Sequence, residues 1–310
     1  MKRYSSTLFL IILALIFAWI SILWWKGKFS NQFQVEGFSQ DKSYSLSSGQ
    51  DIYDDFYADI FDDLTLAHSR ANYTWDAFCK AVQPFSGARF LDIGSGTGSL
   101  VHIIRKDGFD CIGIDSSRHM IQSSDSSSHF INKNFLDPMT FNSGDFFGAF
   151  CLGMTIYELC ESDKLQLFKN TFFWLRPGGY FMIHLVDVSN FSPVVPLIAS
   201  YSNSEEPVFS ANVDFNGFSY KYDFDIDSSD SSDSNSKCGC SSKPILATQT
   251  ETFTDITTGN IRENAIQLFL SSESNIVKMI ESVGFSSVGK WNLRDSVYRD
   301  SFQYFYLFTR

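Results

Sequence analysis

Apolar residues recur at helical spacing through Ile52, Phe56, Ile60 and Leu64, and again through Trp75, Phe78 and Val82 until Pro84 intervenes. This periodicity predicts a helical N-terminal cap over 51–83. Beyond it, short apolar runs alternate with amphipathic ones. Residues 89–93 read as extended, 99–106 as helical, 110–114 as extended, 117–123 as helical and 129–134 as extended. Residues 147–152, 162–175 and 180–186 continue as strand, helix and strand, the last after the turn Pro177-Gly178-Gly179. Strand and helix in strict alternation predict a parallel sheet with right-handed crossovers.

After Asp187 the period changes from helical to two. Segments such as "FSYKYDFDI", "ILATQTETFTDI" and "NIRENAIQLFL" alternate apolar with polar positions and predict an antiparallel patch. Residues 227–243, rich in Ser and Asp, read as a low-complexity mobile loop within it. A helix over 274–283 and strands over 285–293 and 301–309 then return to the main sheet. The chain is therefore expected to hold an α/β core at 51–187, an inserted β cap at 188–270, and a C-terminal part at 271–310 that completes the sheet.

The N-terminus follows another pattern. Residues 8–25, "LFLIILALIFAWISILWW", carry no charge over eighteen positions, about the minimum for a helix crossing a hydrocarbon core about 30 Å thick. The run ends in Trp24 and Trp25, which suit a membrane interface, whereas a signal peptide ends in small residues at a cleavage site. A single transmembrane anchor over 1–26 is expected, followed by a polar linker over 27–50. Lys2 and Arg3 precede the run and Lys26 and Lys28 follow it, so flanking charge leaves orientation open.

A net charge of −11 over 310 residues argues against a dedicated nucleic-acid binder, which needs clustered cations to neutralise phosphates. The six cysteines lack zinc-site or disulfide-framework spacing and read as reduced thiols. Cys238-Gly-Cys240 is the one close pair, and a metal or redox role for it stays open.

The densest chemical signal is "FLDIGSGTGS", residues 90–99. A glycine loop between a strand and a helix sits at the carboxyl edge of the sheet, where open α/β folds bind ligands. Three readings stand open for it: a bare turn, a dinucleotide site and a site for another nucleotide-like ligand. The dinucleotide fingerprint requires G-x-G-x-x-G/A facing a pyrophosphate. Here Gly94, Gly96 and Gly98 give G-x-G-x-G, and Asp92 stands just before them. A carboxylate there suits a cationic ligand better than a phosphate.

With these residues in view, "FLDIGSGTG" resembles the first motif of the class I S-adenosylmethionine-dependent methyltransferases. "CIGID", "NKNFLDP", "LRPGGYFMIHLVD" and "MIESVGFSSVGKW" are similar to later motifs of that family, in order. "DIYDDFYADIFDDL" resembles its N-terminal helix, whose tyrosines, here Tyr53 and Tyr57, can cover the cofactor. The resemblance implies a Rossmann-like, doubly wound, seven-stranded, mostly parallel sheet with S-adenosylmethionine as cofactor. It implies that Asp92, Gly94, Ser95, Gly96 and Gly98 surround the methionyl arm and that Asp115 accepts from the ribose hydroxyls. It places Ser116 and Met120 near the adenosine, Asn134 at the adenine amino group in place of the family's aspartate, and Phe135 against the purine.

Methyl transfer from a sulfonium is an in-line displacement in which alignment and desolvation supply much of the rate, so catalytic side chains can be few. The candidates for the acceptor pocket are Tyr157 and His184, with Glu158 and Asp187 also near strand ends. "CLGMTIYEL" lacks the motifs of enzymes that methylate nucleic-acid bases, and no carboxylate cluster suggests a divalent metal. The expected function is a membrane-anchored methyltransferase with its catalytic domain facing the cytosol. Its acceptor would be an unidentified small molecule, lipid or protein. The rival is a catalytically silent, tethered binding module.

Overall fold

The computed structural model describes residues 43–122, 127–193, 196–201, 207–215, 217–227 and 245–310. The apolar run at 8–25 and the Cys238–Cys240 pair lie outside these residues. Among the described residues no helix is long and apolar enough to cross a membrane.

In chain order the strands are β1 (Tyr44–Ser48), β2 (Arg89–Ile93), β3 (Asp110–Asp115), β4 (Phe130–Asn132), β5 (Phe146–Cys151), β6 (Leu175–Val186), β7 (Ser210–Phe215), β8 (Phe218–Ile226), β9 (Ile245–Asp255), β10 (Ile261–Leu270), β11 (Ser286–Leu293) and β12 (Asp300–Thr309). The helices are α1 (Asp55–Thr65), α2 (Ala67–Val82), α3 (Ser99–Lys106), α4 (Arg118–Gln122), α5 (Glu161–Trp174), α6 (Pro196–Tyr201) and α7 (Glu273–Val283). Short 3-10 turns span Gly49–Ile52 and Thr155–Glu158.

Seven strands form the main sheet in the order β11-β12-β6-β5-β2-β3-β4. β2 pairs in parallel with both β3 and β5, so the strand order reverses at β2 and leaves a crevice above its carboxyl end. The sequence rhythm anticipated this core because its central strands β2 and β5 are buried on both faces: Phe90, Leu91 and Ile93 of β2 are fully inaccessible. β12 enters antiparallel between β6 and β11 and seals that side of the sheet. On one face, α2 and α3 pack around Trp75, Phe78, Phe90, Ile104 and Phe150. On the other, α5 and α7 pack around Leu167, Trp174, Phe181 and Ile280.

The insertion folds into a second, five-stranded sheet, β1-β10-β9-β8-β7. Its four inserted strands are antiparallel neighbours, as their period of two predicts. β1 corrects one expectation. Tyr44–Ser48 falls in the segment read as linker, yet it pairs in parallel with β10 from Tyr44↔Ile261 to Ser48↔Ala265. Its Ser-rich composition concealed an edge strand whose backbone, rather than its side chains, makes the contact. The inner face of this sheet rests on α1, where Phe56 meets Phe218 and Phe253 edge-to-face at 5.4 and 5.3 Å.

Candidate active site

The glycine loop follows β2 at the point where the strand order reverses. Gly94 has φ +68°, and a Cβ there would stand 2.7 Å from the Thr155 side chain. Only glycine meets both the left-handed backbone and that close approach. The amides of Gly94 and Ser95 both donate to the Ile114 carbonyl, at 2.9 and 3.1 Å, which ties the loop to β3.

Two carboxylates converge on this loop. Asp115, at the end of β3, accepts from the amides of Gly96 and Ser117 through its two oxygens, each at 2.8 Å. Asp92, at 4% exposure, lies below the loop. Burial, with the Asp115 charge second, pushes the Asp92 carboxyl up to about 8. Burial also raises Asp115, against the lowering effect of its backbone hydrogen bonds. Two acids held together in a low dielectric resist joint ionisation, so the pair is short of positive charge.

A cavity of about 880 Å³ opens over these groups and continues under the five-stranded sheet. Of the residues expected at the cofactor, Tyr57, Asp92, Gly94, Ser95, Gly96, Asp115, Ser116, Met120, Asn134 and Phe135 all line it. Ser116 donates to Gln50 at 2.8 Å, and Ser117 donates to the Tyr53 carbonyl at 2.6 Å. The segment before α1 is thereby fastened to the end of β3. The Asn134 amide oxygen, expected to meet an adenine, accepts the Leu136 amide at 2.9 Å and shapes its own turn. Asn134 reaches the cavity with that oxygen already engaged.

Two expectations need correction. Gly98 does not line the cavity. It has φ +86° at the start of α3, and a Cβ there would stand 2.2 Å from the Phe130 ring, so it is a packing glycine. Tyr157 is likewise not an acceptor-pocket residue. It is wholly buried, and its hydroxyl accepts the Val186 amide at 2.9 Å. The neighbouring Glu158 faces the cavity instead. Tyr53 donates to it at 2.8 Å, while burial outweighs that bond and pushes its carboxyl up to about 7.

His184 does line the cavity, at 3% exposure. Burial, followed by the nearby Arg70 charge, lowers it to about 3, which leaves a neutral imidazole at physiological pH. Its ring nitrogens make no hydrogen bond of normal geometry among the described residues, and Gly153 and Gln303 are the nearest partners. Tyr298 stands 5.0 Å away, ring to ring, and the Arg70 guanidinium lies 4.9 Å over the Tyr298 ring. Arg70, Gln249 and Tyr298 all line the cavity without having been expected from sequence. Their chain positions are remote from the glycine motif, and no local pattern marks them.

These residues fit S-adenosylmethionine. Asp92 and Asp115 offer buried carboxylates to a cationic, hydroxyl-bearing ligand. The buried Ser95 hydroxyl has no hydrogen-bond partner among the described residues, so it is left for a ligand to satisfy.

The reversed strand order, the G-x-G-x-G loop and an acid at each of two adjacent strand ends form a ligand-binding edge of a Rossmann-like α/β sheet. Residues 67–217 match the family model described as a methyltransferase domain.

The same architecture recurs in solved structures. An S-adenosylmethionine-dependent methyltransferase from Clostridium acetobutylicum superimposes with TM-score 0.58 at 14% identity, covering 82% of this chain and 97% of that one. The CcbJ methyltransferase from Streptomyces caelestis gives 0.57 at 13% identity, covering 84% and 98%. CalS10, an amino pentose methyltransferase from Micromonospora echinaspora solved with S-adenosylmethionine bound, gives 0.52 at 15%, covering 79% and 91%. In sequence, YqeM of Bacillus subtilis, provisionally named a methyltransferase, is 27% identical over 164 residues. That match covers 51% of this chain and 64% of YqeM, so the chain spans under two thirds of this relative's length. The domain match and the fold agree with the enzyme class and the cofactor that the sequence motifs implied.

Proposed function

We propose that the protein is an S-adenosylmethionine-dependent methyltransferase acting on a small-molecule acceptor enclosed beneath the five-stranded sheet. The observation that carries this reading is the continuity of the cavity. One space of about 880 Å³ runs from Asp92 and Asp115 at the glycine loop to Gln249, Ile266 and Leu268 of the cap. Small-molecule sites are concave spaces of roughly 300–1,000 Å³, so a nucleoside-sized donor and a small acceptor can share this one.

Bound S-adenosylmethionine supplies an electrophilic methyl on a sulfonium. The chain's own part is to bind, orient and exclude water. Asp92 and Asp115 would hold the cationic and hydroxyl-bearing ends, Tyr53 and Tyr57 would cover them, and the cap would form the acceptor side of the cavity. Glu158 lines the cavity, and its carboxyl, raised by burial to about 7, is the candidate to take a proton from the acceptor.

Calorimetry with S-adenosylmethionine and S-adenosylhomocysteine tests the donor site. Binding by the native chain and its loss in Asp92→Ala and Asp115→Ala support the reading; a native chain that binds neither ligand favours a silent module. Incubation with radiolabelled donor and size-fractionated cell extract then tests the acceptor. Label in the low-molecular-mass fraction is expected, and label confined to protein or lipid would overturn the small-molecule assignment.

We further propose that residues 8–25 tether the domain to a membrane with its cavity on the cytosolic side, where the donor is available. The support is the uncharged, Trp-terminated run of eighteen residues. Sedimentation of the full chain with membranes, lost on deletion of residues 1–26, is the expected result. A full chain that remains in the supernatant would refute it.

A further inference from the structure

We infer that Arg262, on the inserted strand β10, is a positioning residue for the cofactor: it holds the lid segment 50–57 closed, so the cap clasps the donor site as well as covering the acceptor. This rests on the methyltransferase reading above.

The lid has two attachments. On the core side, Ser116 donates to Gln50, Ser117 donates to the Tyr53 carbonyl, and Tyr53 donates to Glu158. On the cap side, Phe56 packs on Phe218 and Phe253, and the hydrogen bonds come from β10. Arg262, at 5% exposure, donates from Nη1 to Asp54 at 2.7 Å, from Nη2 to the Ile52 carbonyl at 3.0 Å and from Nε to Asn264 at 3.0 Å. Its guanidinium also lies 4.8 Å over the Phe56 ring. One planar fork thus binds the residues on either side of Tyr53, across a sequence separation of 208 positions from Asp54. The geometry demands arginine, since a lysine ammonium cannot make the three divergent bonds at once.

Asp54 does a second task in the same contact. Its other oxygen accepts the Tyr57 amide at 3.1 Å and caps the start of α1. Glu251 on β9 lies close enough to Tyr57 that its charge helps raise that phenol, and it accepts from Tyr220 at 2.9 Å. Arg262 therefore fixes the residues on either side of Tyr53, and Glu251 stands beside Tyr57; both tyrosines line the cavity.

The coupling follows from the period of two in a strand. Arg262, Asn264, Ile266 and Leu268 share one face of β10, and Gln249 and Glu251 share one face of β9. Ile266, Leu268 and Gln249 line the acceptor end of the cavity. An acceptor that orders these strands also orders the clasp two to six residues away, so acceptor and donor are expected to bind with positive coupling.

The test uses the full chain and calorimetric titration with S-adenosylhomocysteine, together with amide hydrogen exchange. In Arg262→Met, which keeps an apolar stem and removes the fork, affinity should fall about tenfold, as when the closed lid is populated roughly a tenth of the time. Exchange should rise over residues 50–57 while β2 and β3 keep their protection. Arg262→Lys, retaining the charge opposite Asp54, should recover part of the affinity. A native chain that binds no ligand would refute the methyltransferase reading itself. A native chain that binds, with Arg262→Met binding equally well, would refute the clasp alone. Equal loss of protection across β2, β3 and the lid would reduce Arg262 to a general stabilising residue and overturn the proposal as well.

Discussion

The carboxylate of Asp115 accepts the backbone proton of Gly96 at 2.8 Å, which links the end of one strand to the loop that follows its neighbour. The same carboxylate takes the Ser117 amide through its other oxygen. Donor site and loop geometry therefore depend on one side chain. Asp115→Asn keeps a single accepting oxygen, so one amide loses its partner at a cost of about 1–3 kcal/mol. Denaturant unfolding should register that loss, and calorimetry should show a larger loss of S-adenosylhomocysteine affinity than the stability change alone explains.

Asp92 predicts a pH dependence. Its carboxyl is raised to about 8 by burial and then by Asp115, so at neutral pH the ligand-free site mostly holds a proton. A cationic ligand favours the ionised form, and its affinity should rise from pH 6 to about 8 and level off above that. Stability of the ligand-free protein runs the other way. The raised carboxyl stabilises the fold fully below the ordinary carboxylate range, and that contribution is lost as pH climbs through about 8. Asp92→Asn should flatten both profiles; an affinity profile that keeps its slope in that variant would assign the proton elsewhere.

Tyr157→Phe separates packing from catalysis. The substitution leaves the buried Val186 amide without its 2.9 Å acceptor. Stability should drop by about 1–3 kcal/mol in urea unfolding. Cofactor affinity at temperatures well below the transition should stay at the native value, because the phenol does not reach the cavity.

Gly98→Ala brings a methyl into the Phe130 ring at a backbone φ of +86°. Overpacking together with left-handed strain should cost about 1–3 kcal/mol or more. Thermal unfolding should show a lowered midpoint, and adding Phe130→Leu should recover part of it by vacating the ring's space.

Much of the core was legible in the sequence because a doubly wound sheet is built from local rules. Runs such as "FLDIG" and "CIGID" end in residues that line the cavity. Asp92, Gly94 and Asp115 could thus be placed at one sheet edge before any coordinates. Neighbours in the motif were harder to separate. Gly98 matches the motif as well as Gly96 does, yet Gly98 faces Phe130, and only the packing of β4 tells them apart. Tyr157 and Glu158 are adjacent in a 3-10 turn, where a single residue step decides which one meets the cavity and which the core.

By itself the sequence determined the order of strands and helices, the ligand-binding edge, the charge of the donor site and the existence of an inserted β region. Those features are written in periodicity and in short-range spacing. Only the tertiary structure decided that the insertion returns to clasp the first helix, that β1 emerges from a polar segment, and that Arg70, His184 and Tyr298 meet in one pocket. These contacts join residues far apart in the chain, and their formation depends on complementary surfaces that no local pattern encodes.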